Sequence, residues 1–134
     1  MAALTLEIVT PERRIATLQA DEVRAPGVRG GFGIRRGHTP FMSKLEAGRL
    51  VVVAGGGERH WAIGGGFLQV ADDAVLGLVD TAEEREEIDV ARAERAFQEA
   101  TERLRRMTEQ DESHAVESAR VRRAAARLSV AGKR

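Results

Sequence analysis

In the stretch "LTLEIV", Leu4, Leu6 and Ile8 alternate with Thr5 and Glu7. This is the period-two spacing that places apolar side chains on one face of a strand. The same short rhythm returns in "RIATLQA", "DEVRA", "RLVVVA", "RHWAI", "FLQVA" and "AVLGLVD". Between them stand "APG", "AGGGE", "GGG" and "ADD", whose residue types supply the backbone conformations that tight turns need. Short strands at this spacing predict an antiparallel sandwich or barrel. Trp61 lies inside such a strand and is expected in the core, with its neighbour His60 on the opposite face.

Past residue 82 the apolar period lengthens. Ala93, Ala96 or Phe97, Ala100, Leu104 and Met107 recur every three or four residues, as one face of a helix does. Glu99–Arg103 and Glu102–Arg106 add i, i+4 pairs in the favourable order. "TEQDESH" interrupts the pattern, and a second helix starts between Ser113 and Ala115. Its stripe is thin: Val121, Ala124, Ala125 and Leu128, flanked by arginines. At roughly 25 cal/mol per Å² of apolar surface, alanines gain little by docking, so this helix is expected to be weakly held and able to move. The predicted fold class is β + α: an N-terminal antiparallel β-sandwich over residues 1–82, then a C-terminal two-helix antiparallel hairpin over residues 83–134. Composition changes at the same place, since 13 of the 14 glycines and all three prolines precede residue 83.

The 134 residues carry 21 basic and 21 acidic side chains, so the formal charge is zero. A dedicated nucleic-acid binder needs a basic surplus to displace counterions, and none is present. The absence of cysteine removes disulfides and thiolate metal sites. No stretch approaches 18 consecutive apolar residues, so no direct membrane insertion is expected. His38, His60 and His114 are scattered without metal-ligand spacing, and no serine sits in a nucleophile elbow. These observations predict a non-catalytic, metal-free chain.

Two strings stand out. "GGFGIRRGHTP", residues 30–40, has the glycines of a phosphate loop but neither its spacing nor its strand-then-helix setting. It reads as a shaped surface loop. "EEREEID", residues 83–89, reads as the approach to a helix with Asp89 as N-cap.

Taken in order, "GGFGIRRGHTPFMSKLEAGRL", "HWAIGGGFLQVADDAVLGLVD", "IDVARA" and a terminal hairpin ending "ARLSVA" resemble the epsilon subunit of bacterial F-type ATP synthases over nearly the whole chain. The resemblance implies a rotor subunit of the central stalk. Such a subunit couples ion translocation to ATP synthesis, restrains ATP hydrolysis through its helices and sits on the cytoplasmic face of the plasma membrane. It implies contact with the gamma subunit and the c-ring through Gly31, Gly33, Arg35, Arg36, Gly37, His38 and Pro40. Gly31 stands where many members carry an acidic residue, and Arg35-Arg36 where they carry an aromatic-Pro pair. Arg120, Arg122, Arg123 and Arg127 would reach the alpha and beta catalytic subunits when the hairpin extends.

No cofactor is required, but "IDVARA" is similar to a motif through which some members hold one regulatory ATP. By that likeness Glu83, Ile88, Asp89 and Ala93 would meet base and sugar, and Arg92, Arg123 and Arg127 the phosphates. Glu99 stands where strong binders carry arginine. A free-standing ATP-sensing module on the same fold is the alternative, and Asp89 and Arg92 read equally as a helix cap and a surface charge.

Overall fold

The structure is a computed structural model and describes residues 4–132. Eight strands come first: β1 (Leu4–Val9), β2 (Arg14–Ala20), β3 (Glu22–Gly27), β4 (Gly30–Arg35), β5 (Phe41–Ala54), β6 (Gly57–Ala71), β7 (Ala74–Val79) and β8 (Ala82–Glu84). A 3-10 turn (Arg85–Glu87) leads into α1 (Val90–Arg105) and α2 (His114–Val130). The β-sandwich followed by a helical hairpin is thus the observed architecture. Strand order is β2-β1-β7-β6-β5-β3-β4, with β8 added to β6. One pairing departs from the antiparallel expectation: β1 and β7 run parallel, with Leu6 opposite Val75. No hairpin joins these two strands, so nothing in the local sequence dictates their direction.

"RHWAI" and "FLQVA", which the pattern separates, are two halves of the single strand β6. The glycines between them, residues 64–66, lie inside the strand rather than in a turn. Gly65 and Gly66 have φ of 106° and 147°, and a Cβ on Gly66 would lie 2.1 Å from the Leu78 carbonyl oxygen. Only glycine permits this combination of left-handed φ and close approach. Before the bend β6 pairs with β8, and after it with β7. "GGFGIR" is likewise a strand, β4, at the edge of the sheet against β3.

The core is shared by both layers: Leu4, Leu6 and Ile8 of β1 pack in one cluster with Val23, Leu50 and Trp61. Trp61 is buried as expected, and the Arg59 guanidinium lies 4.8 Å from the centre of its ring. His60 is half-buried, on the other face of the strand.

Asp89 caps α1, its side chain accepting the Arg92 N–H at 3.1 Å. α1 packs on α2, and α2 packs in turn on β5 and β6. Having neighbours on two sides, α2 buries Ala126 and Val130 besides Ala124 and Leu128, while Val121 and Ala125 are half-buried. On α1, Ala93 and Ala100 are buried, Phe97 is half-buried and Ala96 is exposed.

Arg103, spaced to meet Glu99, reaches instead across to Glu117 of α2, at 2.9 Å. Glu117 is 5% exposed and also accepts from Arg120 at 2.8 Å. The Arg103 hydrogen bond, supported by the charges of Arg103 and Arg120, outweighs burial and holds the Glu117 carboxyl below its ordinary range. The unfolded chain, with the ordinary value, protonates first. Stabilisation by this ion pair is therefore complete at neutral pH and fades as pH falls through the lowered value. Glu117→Gln is expected to lower the melting temperature at pH 7, and the difference from wild type should shrink as pH falls through the lowered value. A difference that stays constant with pH would show that the carboxylate charge does not hold the hairpin.

Candidate functional site

The first candidate surface is the turn after β4. Gly37 has φ of 82°, and its N–H donates to Asp73 Oδ1 at 2.7 Å, which ties the turn to the β6–β7 hairpin. Asp72 and Asp73 themselves take left-handed conformations, with φ of 50° and 61°. The His38 ring packs edge-on against Phe41 at 5.4 Å, and Phe41 against Phe32 at 5.2 Å. This aromatic stack stiffens the exit from the turn at Pro40. Arg35 pairs with Glu22 at 3.4 Å, whereas Arg36 is exposed and makes no ion pair among the described residues. Gly31 and Gly33 belong to the edge strand rather than to the turn. A Cβ on Gly33 would meet Glu22 Oε2 at 2.9 Å, so the missing side chain leaves room for Glu22 between Arg24 and Arg35.

A feature missed by sequence reasoning lies on the outer face of β5, β6 and β7. Met42, Phe67 and Leu78 are 64%, 49% and 46% exposed. Phe67 faces Leu78 directly across strands, with Lys44 and Val9 completing the row. Exposed apolar side chains grouped on one face mark contact surfaces more often than scattered ones do. The signal was present in "FLQVA": Phe67 and Leu68 are both apolar, so one of them must point outward.

The third candidate is a hollow of about 240 Å³ between sandwich and hairpin, lined by Glu83, Asp89, Arg92, Ala93, Ala96 and Arg127. Five of the residues singled out in the sequence therefore meet here. Ile88 does not line it; it is packed in an apolar cluster with Ala62, Ala126 and Val130. Arg123 does not line it either. It borders a separate depression beside Gly64, with Lys44, Glu46 and Asp80. Glu99 lies away from the hollow, beside Glu102, Arg103 and Arg106. Within the hollow Arg127 is already engaged, donating to Glu83 at 2.5 Å.

The four α2 arginines thus sit in different settings. Arg120 and Arg127 are ion-paired within the chain, and Arg122 donates to the Ser118 hydroxyl at 2.7 Å. Among the described residues no group of His, Asp and Glu is arranged to hold a metal ion, and no helix is long and apolar enough to cross a membrane.

Comparison with known proteins covers the chain almost end to end. Residues 3–85 match the family described as ATP synthase, Delta/Epsilon chain, beta-sandwich domain, and residues 86–132 match its long alpha-helix domain. The ATP synthase epsilon chain of Anaeromyxobacter dehalogenans (strain 2CP-1) is 66% identical over 131 residues, 98% of this chain and 99% of that protein. The epsilon chain of Myxococcus xanthus is 49% identical over 131 residues, 98% of this chain and 96% of the relative. Among solved structures, a chain of the Euglena gracilis mitochondrial ATP synthase superposes with a TM-score of 0.80 at 24% identity, covering 98% of this chain and 82% of that one.

Proposed function

The chain belongs to the ATP synthase delta/epsilon family, as an epsilon chain, and on that premise we propose how its two surfaces divide the work. The sandwich attaches to the rotor, to gamma and the c-ring, through residues 36–40 and the adjoining apolar face of Met42, Phe67 and Leu78. The hairpin, docked on β5 and β6 through α2, restrains ATP hydrolysis when it leaves the sandwich and approaches the catalytic subunits. The observation that carries this reading is that the apolar row stays open while the hairpin is docked. α2 packs on β5 and β6 and borders the row only at Phe67 and Lys44, yet Met42, Phe67 and Leu78 remain about half exposed or more, so a partner can hold the row with the hairpin in place. The protein acts as a mechanical coupler of ion flow to ATP synthesis, at the cytoplasmic face of the plasma membrane. Native mass spectrometry of complexes drawn from the host's membranes tests this: gamma and the catalytic subunits should accompany the chain. Its isolation alone would contradict the assignment.

ATP as a regulatory ligand is a narrower part of this proposal. Arg92 and Arg127 line one hollow, and guanidinium forks suit phosphate oxygens. The hollow is smaller than the range of about 300–1,000 Å³ typical of ligand pockets, and Glu83 holds Arg127. Binding therefore requires the hollow to widen and an ion pair to break. We expect calorimetry on the full chain to give a dissociation constant of roughly 0.1–1 mM, with each 1.4 kcal/mol of lost contact costing tenfold. Arg92→Ala should abolish binding. Glu99→Arg, outside the hollow, should leave it nearly unchanged. No heat at several millimolar ATP would reduce Asp89 to a helix cap and Arg92 to a surface charge.

A further inference from the structure

We propose that a two-arginine clamp sets the docked position of α2: Arg49 of β5 and Arg85 of the 3-10 turn grip the last carbonyls of the helix, and their release frees the hairpin. The inference rests on the reading above that α2 leaves the sandwich. It names the contacts that decide when.

The last carbonyls of any helix lack partners within the helix. In α2 two of them are met from outside the helix: the Ser129 carbonyl, which also accepts the Gly132 N–H at 3.1 Å, and the Val130 carbonyl. Arg49 Nη2 donates to the Ser129 carbonyl and, at 2.7 Å, to the Ser129 hydroxyl. Arg85 Nε donates to the Val130 carbonyl at 2.7 Å. Cations at this end of a helix are also favoured by its dipole. Both donors lie far away in sequence, so these contacts exist only while α2 is docked.

Arg49 is held ready for the task. Its Nη1 lies 3.2 Å from His60 Nδ1, and His60 Nε2 lies 3.1 Å from Glu58 Oε1. A guanidinium only donates, so in this arrangement Nδ1 offers its lone pair to Arg49 and Nε2 donates to Glu58. The series Glu58, His60, Arg49 then aims one fork of the arginine at the helix end.

The apolar contact beneath α2 is modest: Ala62 and Ile88 against Ala126 and Val130, with half-buried Val90 and Ala131 packed at its edge. Three of those six side chains are single methyl groups, so polar contacts take a large share in deciding the docked state. Val130, whose carbonyl Arg85 meets, is fully buried. The Arg127–Glu83 pair adds to docking but borders the hollow, where a ligand would compete for it. Arg49 and Arg85 line no part of that hollow.

The chain has no cysteine, so Arg29→Cys and Val116→Cys, on the exposed β3–β4 turn and on α2, can carry two spin labels on an otherwise unmodified full chain. Pulsed electron resonance then reads the distance between sandwich and helix. We expect one docked distance in the parent. Arg49→Ala or Arg85→Ala should each lower the docked-to-undocked ratio about tenfold, and the double variant about a hundredfold. Arg49→Lys should behave nearly as alanine, because an ammonium cannot span Ser129 and His60 together. Trp61 fluorescence should show the sandwich melting unchanged. Should the Arg49 variants disturb the sandwich, Arg85→Ala, altered only in an exposed turn, carries the same test. A docked distance unaffected by Arg85→Ala and by the double variant overturns the clamp. If undocking occurs but complexes rebuilt with the double variant hydrolyse ATP like wild type, the clamp stands and the regulatory reading falls.

Discussion

Complexes rebuilt with a chain ending at Glu87 should hydrolyse ATP severalfold faster than complexes carrying the full chain, with gamma still bound. The truncation point follows from the structure. Glu87 accepts the Glu84 N–H through its side chain at 2.8 Å and so closes β8, whose pairing with β6 completes the sandwich. Everything removed belongs to α1, α2 and their approach. The shared core of the sandwich contains no residue of either helix, so the shortened chain should fold. The same reading predicts which arginines matter. Reversing all four on α2 would confuse two effects, because Arg127 holds the docked state through Glu83, and Arg120 pairs within α2 with the Glu117 that joins it to α1. Arg122→Gln with Arg123→Gln is cleaner, since neither arginine makes an ion pair among the described residues and a neutral amide adds no repulsion toward Glu46 and Asp80, which line the same depression. That pair of changes should raise hydrolysis while leaving the docked distance nearly unchanged. Hydrolysis equal to wild type in both the truncated and the double-neutralised complexes would remove the hairpin from regulation altogether.

The fold was legible because its determinants are local. Alternation in "LTLEIV" and the three-to-four spacing from Ala93 to Leu104 each follow from one element burying one face. What escaped depended on elements distant in the chain. "GGG" looks like a turn because glycine weakens strands, yet residues 64–66 stay in β6 through pairing on both sides. β4 was hidden for the same reason: its glycines carry no strand preference, and its register comes from β3. The thin stripe of α2 predicted weak docking from apolar area alone. Arg49 and Arg85 lie 80 and 45 residues from the carbonyls they meet, a separation no periodicity reveals. Candidate residues divide along the same line. Asp89 and Arg92 are one helical turn apart and come together through α1 itself. Arg123 was grouped with them by likeness, but its helical phase turns it toward Gly64 instead.

Placing a charge on the outer row of β6 and β7 should abolish attachment to gamma. Phe67 and Leu78 face each other across the strands and stand about half exposed, so a partner seated on them would bury much of both side chains. Full burial of a Leu or Phe side chain contributes about 1.5–3 kcal/mol, so covering the exposed half of one contributes about half of that, roughly four- to tenfold in affinity. Phe67→Ala should cost about that much. Leu78→Asp should cost more, on the order of a hundredfold or beyond, since it removes the apolar contact and also buries an unpaired carboxylate. Neither residue belongs to the sandwich core, so melting should shift by no more than about 0.5 kcal/mol in stability. Arg36→Ala tests the neighbouring turn separately. An exposed arginine at the rim should affect the rate of association and its salt dependence more than the final affinity. If Leu78→Asp bound gamma as tightly as wild type while Arg36→Ala did not, the turn would be the attachment and the apolar row an unrelated exposed face. Loss with Leu78→Asp and near-normal affinity with Arg36→Ala would instead place the energy of attachment on the sheet, with the turn directing approach.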